Sequence, residues 1–191
     1  MSKITDIITK SIETKERIKT NDALLKTIED VATEVVKCFN NNGQVLWCGN
    51  GGSAADAQHL AAELSGRFYF DREPLNSEAL HVNTSYITAV ANDYSYDQIY
   101  ERLVRAKGHK GDVLIGLSTS GNSGNVIKAL EVANQRGLVT VGFTGEGGGK
   151  MKSLCNYLIN VPSNDTPRIQ ESHIMIGHII CEMVEEQLFK R

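Results

Sequence analysis

The chain has 191 residues, a length typical of one domain. Its residues are 41% hydrophobic and 23% charged, which favours a folded globular protein over a disordered one. Because 20 Lys and Arg residues stand against 23 Asp and Glu residues, the net charge is −3, and the overall charge predicts no partner among nucleic acids or anionic membranes.

The first forty residues predict two amphipathic helices. Apolar residues recur at three-to-four-residue spacing from Ile4 to Phe39, and Asn21 is placed to cap the second helix. We expect residues 1–42 to form a helical arm for oligomer packing and residues 43–191 to form an α/β core. The N-terminus lacks the long apolar core of a signal peptide, and no run reaches the roughly 18 apolar residues of a membrane span.

From residue 44 onward, apolar strands alternate with helices. The predicted strands span 44–48, 79–82, 112–117, 138–143 and 157–161. The predicted helices span 54–65, 84–91, 96–107 and 167–189. One more predicted helix opens at 118–123 and ends near 136. This alternation is typical of a parallel sheet covered on both faces, which binds ligands beyond the carboxyl ends of its strands.

A glycine-rich loop, Cys48-Gly49-Asn50-Gly51-Gly52-Ser53, follows the first predicted strand. Glycines let the backbone turn sharply and approach a ligand closely, and the helix that follows offers free N–H groups and the positive end of its dipole. A plain strand–helix turn explains this loop equally well, so taken alone it leaves both interpretations open.

A second loop, Ser118-Thr119-Ser120-Gly121-Asn122-Ser123, follows the most apolar strand and opens a helix. Helix capping by a serine explains one hydroxyl, but this loop carries four. A phosphate needs several short hydrogen bonds at once, and a helix N-terminus supplies them. The loop therefore favours an anion site.

Two helices carry side chains suited to acid–base chemistry or metal binding. His59 and Glu63 are four residues apart on one predicted helix, and Gln170, Ile174 and His178 recur every four residues on the last. Two histidines, a glutamate and a glutamine could hold zinc, although glutamine is an unusual ligand. Taken alone, each pair is more typical of a solvated helix face.

Asn92 and Asp93 follow the predicted helix over 84–91. Short polar side chains at this point could bind sugar hydroxyls. Composition alone favours the alternative, a helix stop.

Together these segments resemble the sugar isomerase (SIS) superfamily and, within it, the phosphoheptose isomerase family, over nearly the whole chain. The resemblance is carried by CGNGGSAADAQH at 48–59, AELSGR at 62–67, ANDY at 91–94, STSGNS at 118–123 and RIQE at 168–171, with His173 and His178. Five segments in family-like order are far more specific than any one of them.

The resemblance implies the fold class. We expect an α/β fold: an SIS-type three-layer α/β/α sandwich with a central parallel sheet, flavodoxin-like, preceded by N-terminal helices. It implies that residues 1–191 form a single SIS domain. It also implies a homotetramer whose active sites lie between subunits. The cytoplasmic location is expected on a separate ground: the four cysteines form no C-x-x-C pair, which favours buried thiols in a reducing cytoplasm.

The resemblance also implies the site residues. The acid–base pair would be Glu63 and His178, and one zinc ion per subunit would be held by His59, Glu63, Gln170 and His178. The residues that would bind a phosphorylated seven-carbon sugar are Asn50, Gly51, Gly52, Ser53, Glu63, Asn92, Asp93, Ser118, Thr119, Ser120, Ser123 and Gln170. Gly177 is unusual in a helix interior, where it costs up to about 1 kcal/mol relative to alanine, and tight packing is one explanation.

The implied activity is an aldose–ketose isomerisation. D-sedoheptulose 7-phosphate would be converted through an enediol to D-glycero-D-manno-heptose 7-phosphate, the first step toward a nucleotide-activated heptose for lipopolysaccharide or another surface glycan. One alternative is a non-catalytic SIS protein that binds the bacterial replication initiator; such proteins replace the catalytic Glu and His, whereas this chain keeps Glu63 and His178. The other alternative is an isomerase of a different phosphosugar.

Overall fold

The computed structural model describes residues 2–189. The strands are β1 (Val45–Gly49), β2 (Ser77–Ala79), β3 (Val113–Leu117), β4 (Val139–Thr144) and β5 (Tyr157–Asn160). The helices are α1 (Lys3–Lys19), α2 (Asp22–Asn40), α3 (Gly52–Ser65), α4 (Thr84–Asp93), α5 (Ile99–Lys107), α6 (Gly124–Arg136) and α7 (Thr166–Leu188). Short 3-10 turns span Tyr96–Gln98 and Gly149–Ser153.

The five strands form one parallel sheet in the order β2-β1-β3-β4-β5. Val45 of β1 pairs with Ser77 on one side and with Val113 on the other. This is the flavodoxin-like order, in which β2 is added on one side of β1 and the later strands are added on the other side, beginning with β3. The change of side leaves a crevice at the carboxyl ends of β1 and β3, where ligands bind in such folds.

Alternating residues of the strands bury two separate faces. Val45 and Trp47 lie in the core formed with α2, α3 and α7. Leu46 and Cys48 lie in the core formed with α5 and α6. Helices therefore cover both faces of the sheet, and the predicted three-layer sandwich with N-terminal helices is confirmed.

Two predicted boundaries are wrong. The second strand spans Ser77–Ala79 rather than 79–82, because this half-buried edge strand contains a glutamate and its backbone pairing has no apolar pattern to mark it. Asn92 and Asp93 form the last turn of α4 instead of following the helix, which ends at a cap on Tyr94.

The two N-terminal helices differ in how they pack. Asn21 caps α2 as predicted, accepting a hydrogen bond from the Leu24 backbone N–H, and α2 packs against α7 and β5. By contrast, α1 leaves four isoleucines exposed: Ile4, Ile7, Ile8 and Ile12. The proposed use of 1–42 in oligomer packing stays a prediction. Among residues 2–189, no helix has both the length and the apolar character needed to cross a membrane.

Candidate active site

The crevice between the ends of β1 and β3 is bridged by two asparagines. Asn50 and the buried Asn125 exchange reciprocal side-chain amide hydrogen bonds of 2.9 and 2.8 Å, and the Tyr96 hydroxyl donates to Asn50 Oδ1 at 3.1 Å. Asn125 Oδ1 also accepts from the Val126 backbone N–H. The predicted site residue Asn50 is therefore held in place from the β3 side of the crevice. Sequence reasoning missed Asn125, although its position two residues after Ser123 is a local signal.

The glycine-rich loop brings the start of α3 close to α7. Gly51 caps α3 with a backbone φ of 56°, which favours glycine. A Cβ on Gly52 would lie 2.7 Å from Gln170 Nε2, so the glycine makes room for that side chain. The structure thus brings two predicted site residues that are far apart in the sequence into contact.

The serine-rich loop places its hydroxyls at the N-terminus of α6. The Ser118 and Ser123 hydroxyls are 2.8 Å apart, and those of Ser118 and Ser120 are 3.5 Å apart. Ser123 is the N-cap residue of α6 but makes no capping hydrogen bond with its side chain. Helix capping by the Ser123 side chain therefore does not account for its hydroxyl, and the anion site at this loop stays a prediction.

The loop that follows β4, residues 145–149, packs against the serine-rich loop. Gly121 has a φ of 66°, and a Cβ there would collide with the Gly148 carbonyl. A cleft of about 220 Å³ lies beside this loop, lined in part by Thr119, Ser120 and Asn164. A larger cavity of about 310 Å³ beside Cys38 lies at the amino-terminal edge of the sheet, away from these hydroxyls.

Three of the predicted catalytic and metal-binding residues meet where α3 and α7 run side by side. His59 Nε2 lies 3.0 Å from His178 Nε2 and 3.0 Å from Glu63 Oε1. The two imidazole rings meet edge to face with centroids 5.1 Å apart. His59 is exposed, whereas Glu63 and His178 are half-buried. The cluster is thus open to solvent on one side and pairs a carboxylate with two imidazoles.

The donor set of this cluster suits a divalent metal ion. One ligand atom from each of His59, Glu63 and His178 lies within 4.8 Å of the others. Zinc prefers imidazole nitrogen and carboxylate oxygen at about 2.0–2.2 Å, so neighbouring ligands of a tetrahedral ion lie roughly 3.3 Å apart. The 3.0 Å separations of His59 Nε2 from its two neighbours are close to that spacing.

Asp56 is a further polar group beside the cluster, one helical turn before His59. Its Oδ2 is buried and has no hydrogen-bond partner. Burial raises the pKa of this carboxyl, and the nearby His59 imidazole lowers it in part. Sequence reasoning did not single out Asp56, because a carboxylate in the first turns of a helix is common.

The remaining predicted site residues lie on α3, α4 and α7. Gln170 contacts Gly52 two helical turns before His178, so its place among zinc ligands stays a prediction. Asn92 and Asp93 are exposed and hydrogen-bonded to each other at 3.0 Å. Ser53 is buried at the start of α3.

Comparison with known proteins places this fold and crevice in one family. The SIS domain family model matches residues 6–145. The chain belongs to the SIS domain family. Its match covers the glycine-rich loop, His59, Glu63 and the serine-rich loop, but ends before α7, so the SIS match does not include His178.

Curated relatives of this SIS protein span almost its whole length. It is 55% identical over 183 residues to a phosphoheptose isomerase of Aneurinibacillus thermoaerophilus, covering 96% of this chain and 92% of the relative. It is 53% identical over 179 residues to phosphoheptose isomerase 2 of Campylobacter jejuni, covering 94% and 89%. The resemblance to the phosphoheptose isomerase family is confirmed.

A solved structure agrees with this SIS fold. A phosphoheptose isomerase from Neisseria gonorrhoeae superposes with a TM-score of 0.90 at 40% identity, covering 96% of this chain and 97% of that one. The shared architecture includes α7, which lies beyond the family match.

Proposed function

We propose that this protein is an aldose–ketose isomerase that converts D-sedoheptulose 7-phosphate to D-glycero-D-manno-heptose 7-phosphate. The observation that carries the proposal is the meeting of Glu63 and His178 beside His59 where α3 and α7 pack, in a chain whose second loop gathers hydroxyls. The names of the relatives, which match over more than nine-tenths of this chain, support the same reaction.

The chemistry needs one group that moves a carbon-bound proton and one that moves hydroxyl protons. Glu63 takes a proton from C1 of the ketose, while His178 donates a proton to the C2 oxygen, and an enediol forms. His178 then removes the proton from the C1 hydroxyl, and Glu63 returns its proton to C2, which yields the aldose. A carboxylate and an imidazole suit these roles near neutral pH.

The serine-rich loop is proposed to bind the phosphate. Hydroxyls of Ser118, Thr119, Ser120 and Ser123 at the start of α6 would donate to its oxygens, and the helix N-terminus favours negative charge. Binding the far end of the sugar positions its reacting carbons. The other residues proposed to contact the sugar are Asn50, Gly51, Gly52, Ser53, Asn92, Asp93 and Gln170.

The metal site is proposed to hold one zinc ion per subunit. His59, Glu63 and His178 would bind it, with Gln170 as the proposed fourth ligand. A bound zinc ion supplies Lewis-acid polarisation of a carbonyl oxygen.

The assembly is proposed to be a cytoplasmic homotetramer with active sites between subunits. The exposed isoleucines of α1 support an oligomer, because apolar residues grouped on one surface typically mark an interface. The exposed Asn92 and Asp93 would reach the site of a neighbouring subunit. All four cysteines are unpaired, which agrees with a reducing compartment.

Proton NMR of the protein with sedoheptulose 7-phosphate and zinc in D₂O tests the reaction. The proposal expects the aldose to appear with deuterium at C2. Absence of both conversion and exchange would overturn it. Conversion of a different phosphosugar would keep the isomerase and replace the substrate, and capture of the replication initiator without any turnover would favour the binding protein.

A further inference from the structure

A buried ion pair joins Arg72, in the loop that follows α3, to Glu185 of α7, outside the candidate active site. Arg72 Nε donates to Glu185 Oε1 at 2.8 Å, and the two side chains are 2% and 1% exposed. Burying two charges is costly, and such a pair often contributes little net stability. The other hydrogen bonds of the two side chains hold parts of α3 and of the segment after it in place.

Arg72 holds the last turn of α3. Its Nη2 donates to the Glu63 carbonyl at 3.0 Å and its Nη1 to the Leu64 carbonyl at 2.9 Å. The last carbonyls of a helix lack partners within the helix, and a cation there also suits the helix dipole. The guanidinium thus binds the backbone of Glu63, whose carboxylate faces His59.

Glu185 fixes the chain segment over 68–70, which lies beside His178. It lies seven residues after His178, two turns further along the same face of α7. Its carboxylate accepts hydrogen bonds from the backbone N–H groups of Phe68, Tyr69 and Phe70 at 3.0, 2.6 and 3.0 Å. The Phe68 ring in turn lies 5.8 Å from the His178 ring, so the same carboxylate places an aromatic ring against His178.

We infer that Arg72 and Glu185 are positioning residues that set the spacing of Glu63 on α3 and His178 on α7. This inference rests on the proposed function for the roles of those two groups. Neither positioning residue contacts the reacting atoms. They act through the Glu63 backbone, the segment over 68–70 and the Phe68 ring.

The test compares Arg72→Lys and Glu185→Gln with the wild type. Arg72→Lys keeps the charge but loses the planar fork that reaches both carbonyls and the carboxylate. The control is Glu78→Gln, which makes the same change in an ion pair between β2 and α5. The double variant Arg72→Met, Glu185→Met removes both charges together and replaces the single variants if they do not fold.

Two readouts separate positioning from simple stability. The first is kcat and KM for sedoheptulose 7-phosphate at a temperature where circular dichroism shows every variant folded. The second is zinc affinity without substrate, measured by competition with a chromophoric chelator. We expect kcat to fall about 10- to 100-fold with KM close to the wild-type value. We expect zinc affinity to fall about 10- to 100-fold, with both quantities unchanged in the control.

Folded variants that keep wild-type kcat and zinc affinity would overturn the inference, whatever their melting temperature. If the wild type binds zinc but does not convert the sugar, the proposed substrate fails and the zinc measurement alone decides the positioning role. A wild type that neither binds zinc nor turns over would overturn both proposals.

Discussion

Gly177 of α7 rests directly on Leu60 of α3. A Cβ on Gly177 would lie 2.6 Å from Leu60 Cδ2 and would also meet Cδ1, and both residues are buried. The glycine therefore lets the two helices approach closely, next to the pair formed by His59 and His178. Tight packing is the reason for a glycine at this interior helical position.

Gly177→Ala should separate α3 from α7. We expect the free energy of unfolding to fall by about 1–3 kcal/mol, the usual cost of overpacking, despite the higher helix propensity of alanine. Activity should fall as His178 moves away from His59. Urea unfolding and initial rates measure the two effects. Glu186→Ala, an exposed change on the same helix, should stay within about 0.5 kcal/mol of the wild type; equal effects of both changes would contradict the packing argument.

Glu63→Gln should abolish turnover while leaving the fold and the assembly intact. An amide has nearly the shape of the carboxylate but cannot take the proton from C1. The loss should be at least about 10²–10⁴-fold, and proton NMR in D₂O measures both conversion and exchange. The exposed Glu131→Gln on α6 serves as the matched control. Normal activity of Glu63→Gln would show that another group is the base.

Ser120→Ala should raise KM through loss of a hydroxyl contact to the phosphate. The Ser120 hydroxyl is exposed and also accepts the Asn122 backbone N–H at 3.1 Å, so inhibition by inorganic phosphate is measured in parallel. A phosphate contact predicts weaker inhibition together with the higher KM. Unchanged values of both would remove Ser120 from the phosphate site. Thr33→Ala, on the exposed side of α2, should change neither.

The buried His173 should make stability fall in acid. Burial lowers its pKa from 6.5 to about 4, although a hydrogen bond from Nε2 to the Thr144 carbonyl raises it in part. Between these values the unfolded chain binds the proton more readily, so stability present above pH 6.5 is lost as the pH falls toward 4.

Because the pKa of His173 differs between the folded and unfolded chain, this group should lower the free energy of unfolding by about 2 kcal/mol between pH 7 and pH 5. Urea unfolding at both pH values measures it. His173→Gln lacks the titrating group, so its stability should depend less steeply on pH over this interval. An equal pH dependence in variant and wild type would show that His173 does not carry the effect.

Ile8→Glu should weaken the assembly without unfolding the subunit. Ile8 is 54% exposed in the single chain, so a charge there costs the subunit little but would be buried in an interface. Analytical ultracentrifugation should show smaller species than the wild type, with an unchanged circular dichroism spectrum. Glu13→Lys lies on the opposite side of α1 and should leave the assembly intact. Retention of the wild-type size by Ile8→Glu would exclude this face from the interface.

Local patterns in the sequence were enough to predict the parallel sheet, the positions of the glycine-rich and serine-rich loops, and the shared helix face of His59 and Glu63. Each depends on neighbours within a few residues: apolar runs mark β1 and β3, glycines and hydroxyls mark the loops, and four-residue spacing places two side chains together on one helix. The edge strand at Ser77 was misplaced because pairing with β1, not an apolar pattern, defines it.

Only the tertiary structure decided which distant side chains meet. His59 and His178 are separated by 119 residues, and Arg72 and Glu185 by 113. Periodicity shows which face of a helix is apolar, but not which partner packs on it or at what distance. That distance depends on the volumes at the contact, and here Gly177 against Leu60 brings α7 close enough to α3 for the two histidines to touch.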